Sequence, residues 1–588
     1  MAEQFNFKEL DKHLRAEWLA KRPDFVQAFI DNIQNIADTH MTEALAVDRW
    51  AEYIDIERQA PHIYYYLASC QDSMPIQNMI GGMATLINDH NERDLPTVWN
   101  THQIASEIIF ALNGIFTTVQ LTYNGKYVVR SLLRDPELSE TLMYPLPLAE
   151  PAYASRALGA YAWNITNDDA LNVLNAIPMT IMQFPEQMPF IGANPSDADK
   201  ELMVKYEVRK ALQPSFSGKR IFYNWHSDYR GRMSPGAYHF NPHGNEYEKS
   251  IIAFAEPEKV SWAGVMEYRK ALARCAGLGK DTDMEKLKWY AQNSLTNFAD
   301  VIWKEPHTAV SILTAFEQIK NTGRTNIPIE LDSTNSQLQM VAVLTGDMQT
   351  ALTCNVVPDG DKIADAYGIL AEIMTKISGK LYTRHDVKYA MMVAGYGGGK
   401  DVVIAEFVSA MDNDYDVGET YETFLAAMEY VSPASGLLKD TFDNLWKDDW
   451  TEVTWTLPDG FVACYKPVQT MTLTLRPFGI DIECLATVNQ AIDFSTALYV
   501  NVIHSVDAYV ARQKVIRAKG KSWSIHDGFP MRANFVSTGV QNYKDILGEI
   551  ADSRLLEDIL TEISGSYVPT FGKQFGNDAI QLGNYAIS

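Results

Sequence analysis

Arg384 and Lys388 stand one helical turn apart in the stretch Arg384-His385-Asp386-Val387-Lys388-Tyr389-Ala390-Met391-Met392-Val393-Ala394-Gly395-Tyr396-Gly397. Read as a helix, that spacing puts both cations on one face. Two cations so placed suit an anion, and a triphosphate is the obvious candidate. Tyr396 follows two turns further on, about 80° round from Lys388 at ~100° per residue. The glycines at 395, 397, 398 and 399 then end the helix. Taken by itself, the window reads more simply as a solvated Arg/Lys face on a core helix; the rest of the chain changes that balance.

Two acids each follow a short β-rich run, in Ile329-Glu330-Leu331-Asp332 and in Trp523-Ser524-Ile525-His526-Asp527. Acids at strand ends, far apart in sequence, are what a two-metal phosphoryl-transfer site needs. Its two Mg²⁺ ions activate the attacking oxygen and stabilise the leaving one. A pair of unrelated turn aspartates is the simpler alternative. Two other chemistries fail on spacing. Gly395–Lys400 is no phosphate loop, because Ala394 stands at the first glycine position and Asp401 follows Lys400. His226, His239 and His243 have no nearby cysteine and no zinc-ligand spacing, so they read as hydrogen-bonding or nucleic-acid-facing residues.

The elements that must carry these residues follow from periodicity. Residues 1–110 read as mostly helical, with 3.6-residue apolar spacing at Phe25–Ile33, Met79–Asn88 and Ile104–Leu112. Thr117–Arg130 holds Asn124-Gly125 between two β-rich runs and predicts a hairpin. After a Pro-rich linker at Pro145–Pro151, helices are expected at Ala154–Ile177 and Ser196–Leu212. Phe222–Asn245 is dense in aromatics, Arg, Gly and His, and reads as a functional loop region. Val260–Gln318 is mainly helical, Ile327–Leu331 a short strand, and Asp361–Ser378 a helix ended by Gly379. A strand pair is expected around Pro458-Asp459-Gly460, a second hairpin over Gln469–Leu485, and a helix over Ala491–Ala511. Ser522–Ile525 is expected to be a strand running into His526-Asp527, before helices that last to about Gly565.

With 588 residues and 46% apolar content the chain can bury a large core. Its five scattered cysteines show no CxxC pairing, which predicts reduced thiols in a cytoplasmic protein. No secretory signal, transit peptide or membrane span is expected. The net charge of −24 counts against coating nucleic acid by bulk electrostatics, and predicts weak non-specific DNA affinity. It does not exclude a basic channel on an acidic body.

Six segments, in order, now form a pattern. They are Asp228-Tyr229-Arg230-Gly231-Arg232 with its trailing Phe240-Asn241-Pro242-x-Gly244-Asn245, Lys280 in Cys275-Ala276-Gly277-Leu278-Gly279-Lys280, and Asp332-Ser333-Thr334-Asn335-Ser336-Gln337-Leu338-Gln339. Arg384-x₃-Lys388-x₇-Tyr396-Gly397, Ile503-His504-Ser505-Val506-Asp507 and Ile525-His526-Asp527-Gly528-Phe529 complete it. Over roughly residues 150–588 the chain resembles the single-subunit DNA-dependent RNA polymerases of bacteriophages and mitochondria, relatives of the family A DNA polymerases. The six segments resemble, respectively, the family's DxxGR motif, a phosphate-side lysine, motif A, motif B, the His-Ser-x-Asp segment and motif C.

The resemblance implies an α+β, largely helical right hand. A reduced N-terminal domain would span 1–149, a thumb-like region 150–215 and the fingers 346–495; the palm would comprise 216–345 and 496–588. It implies Asp332 and Asp527, with the Ser333 carbonyl, as ligands of two Mg²⁺ ions. Arg384, Lys388 and Lys280 would hold the triphosphate, and Tyr396 and His504 would select the ribose 2′-OH. Asp228, Arg230 and Arg232 would belong to the contact with template or hybrid. RNA 3′-OH would attack the α-phosphate in line, with a DNA template, rNTP substrates and an RNA product. The cytoplasm of an infected bacterium is the implied location, with packaging in the virion left open.

Three features depart from the pattern. The stretch before the DxxGR-like segment is short. The 469–485 hairpin, where the family has its promoter-reading loop, carries Asp481 and Glu483. Gln337 stands where the RNA polymerases usually have a small residue and family A DNA polymerases a sugar-crowding Glu. Together with the acidic charge, the first two suggest dependence on a single-strand-binding protein or accessory subunit. A family A-like DNA polymerase without exonuclease is the runner-up, against which stand His504 and Met392. A catalytically dead nucleic-acid-binding scaffold is the third reading, and the presence of both aspartates argues against it.

Overall fold

The computed structural model describes residues 19–31, 56–134, 147–151, 169–183 and 197–588, less 25, 71–73, 91–97, 114, 122–126, 361–362, 412–415, 448, 477–479, 490–494 and 569–571. The described chain is largely helical, with small antiparallel sheets of two or three strands. It groups into two units, one of Pro147–Tyr465 with Asp493–Ser588, the other of Phe7–Leu146 with Lys466–Ile492.

The larger unit is organised around one short antiparallel ladder. Strand Ile329–Asp332 pairs with Gly528–Met531, Asp332 lying opposite Gly528. The arm Ser522–Ile525 was expected to be the strand before Asp527. The regular strand instead follows Asp527, and the arm is bridged to it only at Ser522 and Ile525. The reason is a tight reversal: Ile525 and Gly528 exchange both backbone bonds at 2.8 Å, and His526 takes a left-handed φ of 55°. Asp527 thus sits at the tip of a turn, beside the end of the Asp332 strand.

The ladder lies in a helical core, with the helix Trp262–Cys275 packed on its first strand. Ser336–Thr345 is buried at every position, and its polar Gln337, Gln339 and Thr345 each donate to a backbone carbonyl there. Its N-cap Asn335 accepts from the Leu338 amide. The 24-residue helix Ser495–Ala518 also runs through the core, with Leu498, Val502, Val506 and Val515 buried. The expected helix at 361–378 begins only at Ala366, with Asp365 at its N-cap, and ends at Gly379 in the left-handed region. Arg384–Gly395 is helical as expected. Thr383 and Asp386 cap its start reciprocally, and Val387, Ala390 and Met391 form its buried face. Helices at 197–216, 262–275, 283–293, 306–322, 400–410, 417–431, 433–445, 536–552 and 555–564 are the other long ones of this unit.

In the smaller unit, helices Ile56–Ser69, Ile76–His90 and Val98–Ala111 stand with strands Thr117–Leu121 and Tyr127–Ser131. The Asn124-Gly125 turn lies outside the described residues. The hairpin Val468–Leu475/Ile482–Asn489 belongs with these helices by packing, not with the chain that flanks it. Its alternation is clean: Leu473, Leu475, Ile482, Cys484 and Ala486 join a core with Met79, Met83 and Ile108. Glu483 and Asp481 face out, and Asp481 pairs with Arg476 at 2.8 Å. Among the described residues no helix is long and apolar enough to cross a membrane.

Candidate active site

All the residues singled out for chemistry fall in the larger unit. The ladder sets the acids. Asp332 ends its strand, and the Ser333 amide donates to the Asp527 carbonyl at 3.2 Å. The Ser333 hydroxyl donates to Asp527 Oδ2 at 2.9 Å. Gly528 is what allows the approach, since a Cβ there would stand 3.3 Å from Asp332 Oδ1. Glu330 lies two residues before Asp332, on the same side of the strand, and takes an ion pair from Lys249 at 3.0 Å.

Desolvation in the cleft, the neighbouring Asp527 and then Glu330 push the Asp332 carboxyl up to about 8, against the pull of Lys249 and Lys280. The Asp332 residue is nonetheless open to solvent. The geometric part of that rise is therefore the repulsion between carboxylates, which a bound cation relieves. Among the described residues no group of three or more His, Cys, Asp or Glu could hold a metal. A pair of carboxylates with a backbone carbonyl suits Mg²⁺, which takes few protein ligands and completes its shell with phosphate oxygens and water.

A cavity of about 1020 Å³ opens on Asp332; its lining mixes the cations Lys249, Arg274, Lys280, Lys304 and Arg384 with the acids Glu246, Glu305, Glu330 and Asp365. Lys280 is held below the ordinary lysine range by desolvation, and its neighbours include Asp365, Arg384 and Asp332. Arg384 donates through Nε to Asp365 Oδ2 at 2.8 Å and lies over the Tyr367 ring at 5.1 Å. Lys388 is placed differently: its ammonium rests 5.3 Å from the ring of its neighbour Tyr389, and it does not line this cavity. The structure thus brings Arg384 and Lys280 to one cavity with Asp332 and leaves Lys388 beside it.

A second group surrounds Tyr396, which caps the end of the Arg384 helix and packs on His504 with ring centroids 4.9 Å apart. Arg230 Nη1 lies 3.1 Å from His504 Nδ1. Guanidinium only donates, so Nδ1 accepts and the ring proton resides on Nε2. Burial, Arg232 and Arg230 push His504 down to about 3, so its imidazole is neutral. Arg230 is itself paired with Asp228 at 2.8 Å, and Asp228 Oδ1 accepts from the amides of Arg230 and Arg232. Arg232 reaches Asp507 at 3.7 Å. Burial and Asp527 push the Asp507 carboxyl up to about 7, against Arg232.

Gln337 is buried, only 6% exposed, and its amide nitrogen donates to the Gly395 carbonyl at 2.8 Å. A Cβ on Gly395 would collide with the Gln337 side chain. Gln337 therefore anchors the residue before Tyr396. His243 donates from Nε2 to the Ser524 carbonyl at 3.0 Å and lies 4.7 Å from the His526 ring, which makes it a support of the Asp527 turn.

Several participants escaped the sequence reading. Glu330 was legible, because period two puts it on the Asp332 face. Asp365, Tyr367 and Lys249 carried no local signal. Asp459, read only as a turn residue, forms a buried ion pair with Arg512 at 2.7 Å, each side chain 2% exposed. Arg512 Nη1 also donates to the Gly231 carbonyl at 3.1 Å, and a Cβ on Gly231 would collide with it. That pair fixes the loop bearing Arg230 and Arg232.

No family model matches the chain. T7 RNA polymerase of Escherichia phage T7 is 23% identical over 172 residues, 27% of this chain and 19% of the relative. The DNA-directed RNA polymerase of Enterobacteria phage K11 is 24% identical over a stretch of the same size and shares. A probable DNA-directed RNA polymerase of Neurospora crassa is 26% identical over 151 residues, 24% of this chain and 17% of the relative. The match thus spans less than a fifth of the length of each. Over that span the chain is similar to the single-subunit, phage-type DNA-directed RNA polymerases.

Proposed function

We propose that the protein is a DNA-directed RNA polymerase that joins rNTPs on a DNA template and acts in a phage-infected cell. The observation that carries this reading is one cavity lined by Asp332, Lys280 and Arg384, with Asp527 held beside the end of the Asp332 strand. Asp332, Asp527 and the Ser333 carbonyl would hold two Mg²⁺ ions, which supply charge stabilisation at the attacking and leaving oxygens. Arg384 and Lys280 would bind the triphosphate, with Lys388 next to them. Tyr396, backed by the neutral His504, would sit at the sugar, and Arg230 and Arg232 would face template or hybrid. In the right-hand description, 216–345 and 496–588 would be palm, 346–495 fingers and 150–215 thumb. The relatives named above are RNA polymerases, which favours RNA over DNA synthesis.

The test is primer extension on a single-stranded template with Mg²⁺, comparing rNTPs with dNTPs, for wild type and Tyr396→Phe. The expected result is a strong rNTP preference that Tyr396→Phe relaxes. Preference for dNTPs would replace this reading with a DNA polymerase. Promoter use is proposed to need a single-strand-binding or accessory protein, given the net charge of −24 and the outward Asp481 and Glu483. Runoff transcription from an intact duplex promoter by the purified chain alone would dismiss that dependence.

A further inference from the structure

We infer that Asp365 is a positioning residue that, with Tyr367, cradles the Arg384 guanidinium and presents its two terminal nitrogens to a triphosphate. The inference rests on the reading of the cavity as a nucleotide site and names what makes Arg384 competent there.

Two contacts converge on the guanidinium, and a shared cavity places them. Asp365 Oδ2 takes the Nε hydrogen at 2.8 Å. The Tyr367 ring covers one face at 5.1 Å. Asp365 and Arg384 both line the cavity that reaches Asp332. A carboxylate bound at Nε alone leaves both Nη groups as a fork, which matches two oxygens of a phosphate. The pairing therefore orients Arg384 without consuming its recognition edge. Asp365 and Tyr367 share one turn, at the N-terminus of the helix Ala366–Ser378. One rigid element thus grips the side chain by an edge and by a face.

Asp365 also acts on Lys280, whose ammonium feels it as the largest favourable charge. Asp365 Oδ1 is enclosed and has no partner among the described residues. Arg384 and Lys280 would repel each other across the cavity, and the carboxylate between them lowers that cost until phosphate arrives. What sets this pair apart from an ordinary surface ion pair is that it shares a cavity with a second cation and a candidate metal ligand.

The experiment measures binding of inorganic triphosphate by calorimetry and single-nucleotide extension on a primed single-stranded template. The chains compared are wild type, Asp365→Asn, Asp365→Glu, Arg384→Ala and the double variant Asp365→Asn/Arg384→Ala. Asp365→Asn is expected to weaken triphosphate binding about tenfold and to raise the nucleotide KM similarly, with kcat within about twofold. Asp365→Glu should recover most of that loss. In the Arg384→Ala background, Asp365→Asn should change neither quantity further. Equal losses in both backgrounds would overturn the inference, because Asp365 would then act independently of Arg384. Unchanged binding in Asp365→Asn would also overturn it. If triphosphate binding follows the expected pattern but no chain extends a primer, the polymerase reading falls and the cradle stands.

Discussion

The acid wall of the site, Asp332 and Asp527, and its cation wall, Arg384 and Lys280, are built by different means. Asp332 and Asp527 have short side chains at the ends of backbone elements, and main-chain bonds fix their approach: the Asp332–Gly528 register and the Ser333 amide on the Asp527 carbonyl. Arg384 and Lys280 reach in on long side chains from an exposed helix face and a loop, and Lys388, on that helix, stands outside. Side-chain neighbours place them: Asp365 and Tyr367 for Arg384, Tyr389 for Lys388. Geometry written in the backbone is all-or-none, whereas geometry written in side chains is graded. Mutation of the two walls should show that contrast.

The largest effect belongs to the acids. Asp527→Asn and Asp332→Asn should each lower the rate of primer extension by at least about 10³-fold, equivalent to about 4 kcal/mol of lost charge stabilisation. Single-turnover kinetics at saturating rNTP would show it, and the fold should persist, since Asn preserves the shape. A loss of only tenfold would mean that the ladder is scaffold and the chemistry lies elsewhere.

A cation built like the acids offers the next test. Arg512 is buried in the core, paired with Asp459 and bonded to the Gly231 carbonyl. Removing one partner of such a pair leaves a buried charge uncompensated, so Arg512→Met should destabilise the protein by about 3 kcal/mol, read in denaturant melts. It should also slow extension by loosening the Arg230–His504 contact. Stability lost without any activity change would separate this loop from the site.

The exposed cations should give smaller, graded losses. Arg384→Ala is expected to lower kcat/KM for rNTP by about 10–100-fold, mostly in KM, as a charge-assisted hydrogen bond of about 1.5–3 kcal/mol would. Lys388→Ala should cost less, because its ammonium stands outside the cavity. Equal losses would show that Lys388 swings in when nucleotide binds. Gln337→Ala should relax sugar discrimination by about fivefold, through the anchor on Gly395, about 1 kcal/mol of lost hydrogen bond. Sharper rNTP preference in that variant would make Gln337 a steric gate instead.

The same contrast explains what was legible in the sequence. Asp332 and Asp527 could be singled out because each ends an apolar β-rich run, and the Arg384 helix because its apolar period and terminal glycines are local signals. The Leu473–Ala486 hairpin was legible from alternation alone. What it packs against was not, because a face that prefers burial does not name its partner. The strand at Ser522–Ile525 was misplaced, since a four-residue alternating run cannot reveal that His526 turns left-handed and shifts the ladder past Asp527. Asp365, Asp459 and Arg512 were silent because their meaning lies in contacts across 19 to 53 residues of chain.

The smallest effect is the most specific to the acid wall, because it needs no substrate. An unfolded Asp titrates near 3.9, whereas Asp332 is pushed up to about 8 by desolvation and by Asp527 and Glu330. Between those values the native state holds a proton that the unfolded state has released. Stability from this group is therefore fullest at the acid end and falls as pH rises towards 8. Because Asp332 is open to solvent, only about 1 kcal/mol of that repulsion is expected to survive screening. In EDTA at pH 8, Asp332→Asn should thus melt about 1 °C above wild type, and the gap should close at pH 5. Mg²⁺ should raise the melting temperature of wild type more than that of Asp332→Asn. An Asn variant that melts lower at pH 8 would mean that the two carboxylates do not repel, and that the backbone holds them too far apart to share a cation.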